Sequence, residues 1–207
     1  MKPKIFTLVD SPTLGQIGND TAITYANHCD SCGQEDTLVE FLEYSFDSWD
    51  GEDIVKTGNI YAVTDRLRNA LEGTSLSGFR FSKMKTSKSE IFEDMDPDNE
   101  VSIPVFWHFK ILGLASGPSG WWNYKGDCES CGRPVWEHTE RVSQAVMSPL
   151  MGEVGHPRQV DFNSWHGESI FWLNDPGPPL VVQELFNLLE NLQIKGLSLQ
   201  IAEWVLS

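Results

Sequence analysis

Four cysteines, set as Cys29-Asp-Ser-Cys32-Gly33 and Cys128-Glu-Ser-Cys131-Gly132, are the residues of this 207-residue chain best suited to chemistry. A Cys-x-x-Cys turn offers two thiolates from one tight loop, and a tetrahedral zinc ion takes four ligands. Glycine after the second cysteine allows a positive φ, which lets amide N–H groups point at the sulfurs. A zinc ribbon places its second pair about 15–20 residues on, whereas 95 residues lie between Cys32 and Cys128. A single site therefore requires two distant segments to meet, and it makes Cys29, Cys32, Cys128 and Cys131 the expected ligands of one structural zinc. The same residues also allow two separate sites completed by His28 or His138, a vestigial site, or a redox dithiol. Asp30 and Glu129 inside the loops are expected to raise the thiol pKa values, which opposes a redox role. A site with four cysteine ligands is closed, so the metal reads as structural.

The remaining candidates for catalysis are weaker. Of the histidines, His108 lies in an apolar run and reads as a buried structural residue. His166 stands beside Trp165 and two residues before Glu168, but the matching position upstream is Asp50, so imidazole chemistry is not what the motif requires. Glu52 and Glu168 read as turn carboxylates that cap backbone N–H groups. Neither a Gly-x-Ser-x-Gly, a phosphate-binding glycine loop nor a His-Glu-x-x-His is present. The chain is read as a protein that is not an enzyme.

What positions the cysteines is written twice. Phe46-Asp-Ser-Trp-Asp-Gly-Glu-Asp-Ile54 and Phe162-Asn-Ser-Trp-His-Gly-Glu-Ser-Ile170 share Phe, Ser, Trp, Gly, Glu and Ile in register. Farther on, Arg66–Glu72 aligns with Glu184–Glu190, and Gly78-Phe79 with Gly196-Leu197. Each copy reads as a cysteine turn, an apolar strand (from Ile54 or Ile170), a turn, a short helix (about Asp65–Glu72 and Val181–Asn191) and a second strand. Thr64 or Asp65 is the expected N-cap of the first helix. The expected fold is α+β, a tandem duplication of a small strand–helix–strand module, with modules at 1–103 and 104–207 that share a core or a zinc. Between Gly132 and Phe162 there are 29 residues against 12 between Gly33 and Phe46, which places an insertion near 133–161. Insertions map to surface loops, where recognition often resides.

The charge is 15 basic against 30 acidic side chains, a net of −15, and residues 5–55 hold eleven acids and no Lys or Arg. Counterion release on nucleic acid needs a basic surface, so direct DNA or RNA binding is not expected. A basic protein partner suits the field better. No apolar stretch reaches the roughly 20 residues that span a bilayer. Paired cysteines without a signal peptide suit a reducing compartment, so the chain is expected to be soluble and cytoplasmic.

Two Cys-x-x-Cys-Gly motifs at this separation, each upstream of a Trp-x-Gly-Glu-x-Ile segment and a helix followed by Gly-Phe79 or Gly-Leu197, resemble the double-CXXCG motif family of bacterial proteins. Several members of that family have proline after the first cysteine, whereas both loops here carry an acid and a serine. The resemblance implies an immunity protein of a polymorphic toxin system, one that binds a cognate toxin domain and occludes its active site. If that toxin acts on nucleic acid, Asp47, Asp50, Glu52 and Asp53 are expected where substrate phosphates would sit. The alternative is a zinc-structured adaptor or regulator that binds a basic partner.

Overall fold

In the computed structural model, residues 2–10, 12–98, 100–117, 122–138, 158–173 and 177–206 are described. Most of the 133–161 segment, residues 139–157, lies outside them. The chain is a sheet-rich mixture of strands and short helices. Its first half contributes β1 (Ile5–Asp10), β2 (Gly15–Ile17), β3 (Ala22–Ala26), β4 (Asp36–Phe46), β5 (Ile54–Thr57), β6 (Ile60–Thr64), α1 (Asp65–Glu72), β7 (Phe79–Lys88) and α2 (Glu90–Met95). The second contributes β8 (Phe106–Ile111), β9 (Gly113–Ala115), β10 (Trp122–Asp127), β11 (Pro134–His138), β12 (Gln159–Asp161), β13 (Ile170–Leu173), β14 (Leu180–Val182), α3 (Gln183–Asn191) and β15 (Ser198–Val205).

Two large sheets result, and each takes its central strand from the other half. One runs β4-β7-β8-β6-β5, with β2 and β3 on β4; the other runs β12-β15-β1-β14-β13, with β9 on β13. In both, the first pair is parallel and the next three are antiparallel. Strand β8 fills the place in the first sheet that β1 fills in the second. The halves are thus interlocked, and the sequence boundary near residue 103 does not separate two cores.

Local chemistry explains the helices. The Thr64 side chain accepts from the Leu67 N–H at 3.4 Å and so caps α1, as expected for a hydroxyl at that position. Leu67 and Leu71, one turn apart, bury the same face, each contributing about 2 kcal/mol by burial. Helix α3 lacks a side-chain cap; instead Gln183 N–H donates to Lys4 O at 2.9 Å. It starts at Gln183, later than expected, because Leu180–Val182 is a buried strand paired with β1 and β13.

One core draws on strands of both sheets and joins Leu67 and Leu71 to Leu185 and Leu189, with Phe6, Phe109, Tyr61 and Ile170. A second cluster includes Ile5, Phe171 and Leu180, with Trp165 and Trp204 against it, and a third includes Tyr44, Phe46 and Phe106, with Trp49 against it. The repeated tryptophans occupy corresponding places. Trp49 Nε1 donates to Glu52 O at 3.0 Å and Trp165 Nε1 to Glu168 O at 2.9 Å. The reciprocity extends between halves: Asp53 N–H donates to Lys195 O, and Ser169 N–H to Ser77 O. Gly78 and Gly196 stand at these crossings with φ of 91° and 87°, where a Cβ would come within 2.2 Å of Ile170 O and 2.7 Å of Ile54 O.

Buried His108 sits mid-sheet, opposite Ala62 on one side and Ser82 on the other. Burial, helped by the Lys110 charge, pushes its pKa down to about 4. In the unfolded chain it returns to about 6.5, so between roughly pH 6.5 and 4 the unfolded state binds the extra proton. Stability should therefore fall as pH drops through that window, by up to about 3 kcal/mol, and be insensitive to this group above it. Urea unfolding at pH 7.5 and pH 5 should show a smaller difference in His108→Asn than in wild type; equal differences would exclude this origin.

Candidate metal centre

The cysteine turns sit at the ends of two hairpins. Cys29–Gly33 joins β3 to β4, and Cys128–Gly132 joins β10 to β11. Both turns close in the same way: Cys29 N–H donates to Gln34 O and Gly33 N–H to Cys29 O, matched by Cys128 N–H to Arg133 O and Gly132 N–H to Cys128 O, all at 2.7–2.9 Å. The glycines have φ of 69° and 70°, a conformation that side chains resist.

Face to face, the turns bring all four sulfurs within 4.8 Å of one another. Cys29 Sγ lies 3.6 Å from Cys128 Sγ, and Cys32 Sγ 3.7 Å from Cys131 Sγ. The donor set can hold one metal ion, and among the described residues it is the one such group. Two contacts that the spacing did not announce hold the turns together. The Ser31 and Ser130 hydroxyls meet at 2.6 Å, and Arg133 Nη2 donates to Asn27 O at 2.8 Å. The repeated Cys-x-Ser-Cys was the available signal for the first. His28 is instead turned to carboxylates, with Nδ1 3.0 Å from Glu35 Oε2 and Nε2 3.4 Å from Asp30 Oδ1. The side chain of His138 lies outside the described residues.

The thiol electrostatics depart from the sequence expectation at Cys29 and agree with it in direction, though not in cause, at Cys32 and Cys131. The N–H groups of Cys32 and Ser31 outweigh burial and bring the Cys29 thiol down to about 6, while the Asp30 carboxylate extends fully into solvent. For Cys32 the Gln34 N–H pulls downward, but burial and the neighbouring thiols together push it up to about 11; Cys131 is raised in the same manner. Once the first sulfur ionises, its neighbours resist. Four thiolates in this volume need a cation among them.

A scan of protein-family models and a search of curated proteins find no match to this chain.

The four acids expected to form a face are not brought together as one. Asp53 is buried: it accepts from Thr64 Oγ1 at 2.9 Å, from Arg66 Nε at 3.0 Å and from Lys195 N–H at 3.3 Å, and Arg66 Nη2 completes a two-pronged pair. A carboxylate at the crossing of two halves must be neutralised, so Asp53 is an internal clasp and unavailable to a partner. Glu52 Oε2 accepts from Asp50 N–H at 2.8 Å, and Glu168 Oε2 from His166 N–H at 3.2 Å. Both carboxylates thus engage turn amides. Asp50 is exposed, whereas Asp47 is half-buried. Exposed acids are spread more widely, Asp20, Asp30, Glu40, Asp50, Glu90, Glu93 and Asp94 among them in the first half and Glu129, Glu184 and Glu190 among them in the second.

Proposed function

We propose that this chain is a non-catalytic binding protein that neutralises a basic protein partner, a toxin domain, with a structural zinc clasping its two halves. The observation that carries the binding part is the field: eleven acids and no Lys or Arg over residues 5–55, with most of the exposed acids among the described residues in the first half. Such a field steers a partner of opposite sign and repels nucleic acid. Interlocked sheets make a scaffold that presents this field without reorganisation, which lowers the entropic cost of association. The immunity role rests on the resemblance of the cysteine and tryptophan motifs.

Zinc is favoured by the donor set. A tetrahedral ion with Zn–S bonds of about 2.3 Å separates its sulfurs by about 3.8 Å, close to the 3.6 and 3.7 Å found across the turns. Four soft thiolates select against magnesium and calcium. We also infer that the halves descend from one duplicated module, supported by the common strand order and the matched Trp–Glu, Gly and cysteine geometry.

Growth rescue tests the role. Cells expressing the toxin gene adjacent to this one should survive when this chain is co-expressed, and the two products should co-purify. Association of the purified pair should slow by roughly tenfold as salt rises from low to several times physiological. Joint Asp20→Asn, Glu40→Gln, Asp50→Asn and Glu93→Gln substitution should slow it and flatten the salt dependence. Absence of rescue removes the immunity role; capture of a basic housekeeping protein instead would establish the adaptor alternative.

A further inference from the structure

The strands that end the two large sheets are guarded to different degrees. Strand β5 is covered, its Lys56 N–H donating to Pro12 O at 3.0 Å, and β2, β9 and β12 run for only three residues each. Strand β3 is the exception. It spans five residues, Ala22–Ala26, carries neither charge nor proline, and among the described residues pairs with β4 alone. Edge strands are usually blunted by shortness, lysine or proline, because a row of open N–H and C=O groups accepts another strand.

The hairpin of β3 and β4 also shows apolar side chains to solvent. Strand β4 is 11 residues long but pairs with β7 only from Leu42 onward, so its first part runs with β3 alone. Ile23 lies opposite Val39, and Tyr25, two residues on, shares their face. Tyr25 is 60% exposed, and Phe41, opposite Ala22 at the bulge, is 39% exposed. On the other face exposed Leu38 lies opposite Thr24, whose Oγ1 donates to Glu40 Oε1 at 2.6 Å. Asp30, Glu35 and Glu40 are exposed along the same segment, which holds no lysine or arginine. The cations that reach the hairpin and its base are engaged: Lys85 with Asp20 and Glu43, Arg133 with Asn27 O, and Lys110 with Val39 O at 3.1 Å.

We propose that the free edge of β3 takes an extended strand of the protein partner, one that alternates apolar and basic side chains, an assignment that rests on the binding role above and names its contact. Backbone pairing supplies affinity in such a complex, and the alternation supplies selectivity. Apolar residues of the added strand continue the face of Ile23, Tyr25 and Val39, while the lysines or arginines between them lie on the Thr24 side, toward Glu40. Charge decides against a second copy of this chain as the occupant. Pairing β3 with itself would bring together two hairpins drawn from a segment with eleven acids and no base. Nucleic acid is repelled for the same reason.

The test is an amide NMR titration of the full chain with three peptides: Lys-Val-Lys-Val-Lys-Val-Lys, its counterpart with glutamate for lysine, and the lysine peptide with its backbone nitrogens methylated. The lysine peptide should shift the amides of residues 22–26 and slow their exchange with solvent. The methylated peptide keeps the charge but lacks the donors, and the glutamate peptide keeps the donors but reverses the charge; each should bind more weakly by roughly tenfold or more. Tyr25→Lys, at an exposed position, should weaken the lysine peptide by a similar factor and leave unfolding unchanged. The methylated peptide tests strand pairing on the wild type, so the answer does not hang on the variant. Equal binding of the methylated peptide, shifts centred elsewhere, no response to the lysine peptide, or a dimer of the chain with β3 amides already protected would each overturn the proposal. Growth rescue is read separately: its absence removes the immunity role and leaves strand addition standing, and failure of strand addition leaves rescue intact.

Discussion

Cys128→Ser is expected to abolish metal binding and to destabilise the protein by about 3–5 kcal/mol, and Cys32→Ser should do the same from the other half. Each turn supplies two of four ligands, so neither half retains a site alone. The size follows from what the clasp closes. It bridges segments 95 residues apart, and a cross-link over a loop of about 100 residues restrains the unfolded chain by about 5 kcal/mol, less any residual order there. A metal adds binding free energy that exists only in the folded state. The Cys32→Ser, Cys131→Ser double variant should be little worse than either single variant, because the first substitution already removes the ion. Metal analysis should give about one zinc per chain in wild type, and chelation should reproduce the variants' loss of stability. Wild type without metal, with four free thiols and unfolding unchanged in the variants, would remove the clasp.

The four-cysteine cluster was legible because residue type and spacing carry it; the surroundings were less so. Helix α1 was readable to its boundaries, since Thr64 and the Leu67/Leu71 spacing are local signals. Strands β6 and β14 escaped because each is a short apolar run abutting a helix, where periodicity cannot tell the last strand residue from the first helical one. Asp53 lies in a run of exposed-looking acids, and nothing local marks it as the partner of Arg66, 13 residues on. The expectation that the loop acids raise the thiol pKa values fails at Cys29, because amide dipoles set by backbone shape act at closer range than a solvated carboxylate, and at Cys32 and Cys131 the rise comes from burial and the neighbouring thiols instead. Strand exchange is non-local altogether: no residue near β1 or β8 in the sequence names the strands each lies between.

That exchange yields the second large effect. Expressed alone, residues 1–103 should not fold as a monomer, nor should residues 104–207, while the two mixed should regain the native fold. Without the second half, the first sheet loses β8 from between β7 and β6, exposing unpaired backbone on two inner edges. Without the first half, the second sheet loses β1 from between β15 and β14. The central core is divided as well, since Leu67, Leu71 and Phe109 pack with Phe6, Leu185 and Leu189. Open inner edges invite aggregation, and half a core cannot offset the conformational entropy of ordering about 100 residues. Circular dichroism and amide dispersion should report disorder or aggregation for each fragment, then a native spectrum at one-to-one mixing. A folded monomeric 1–103 fragment would refute the interlock. The closed form open to a lone first half is a pair of identical copies, each lending β1 to the other in the place of β8, so a dimer of that fragment would carry the same logic between chains.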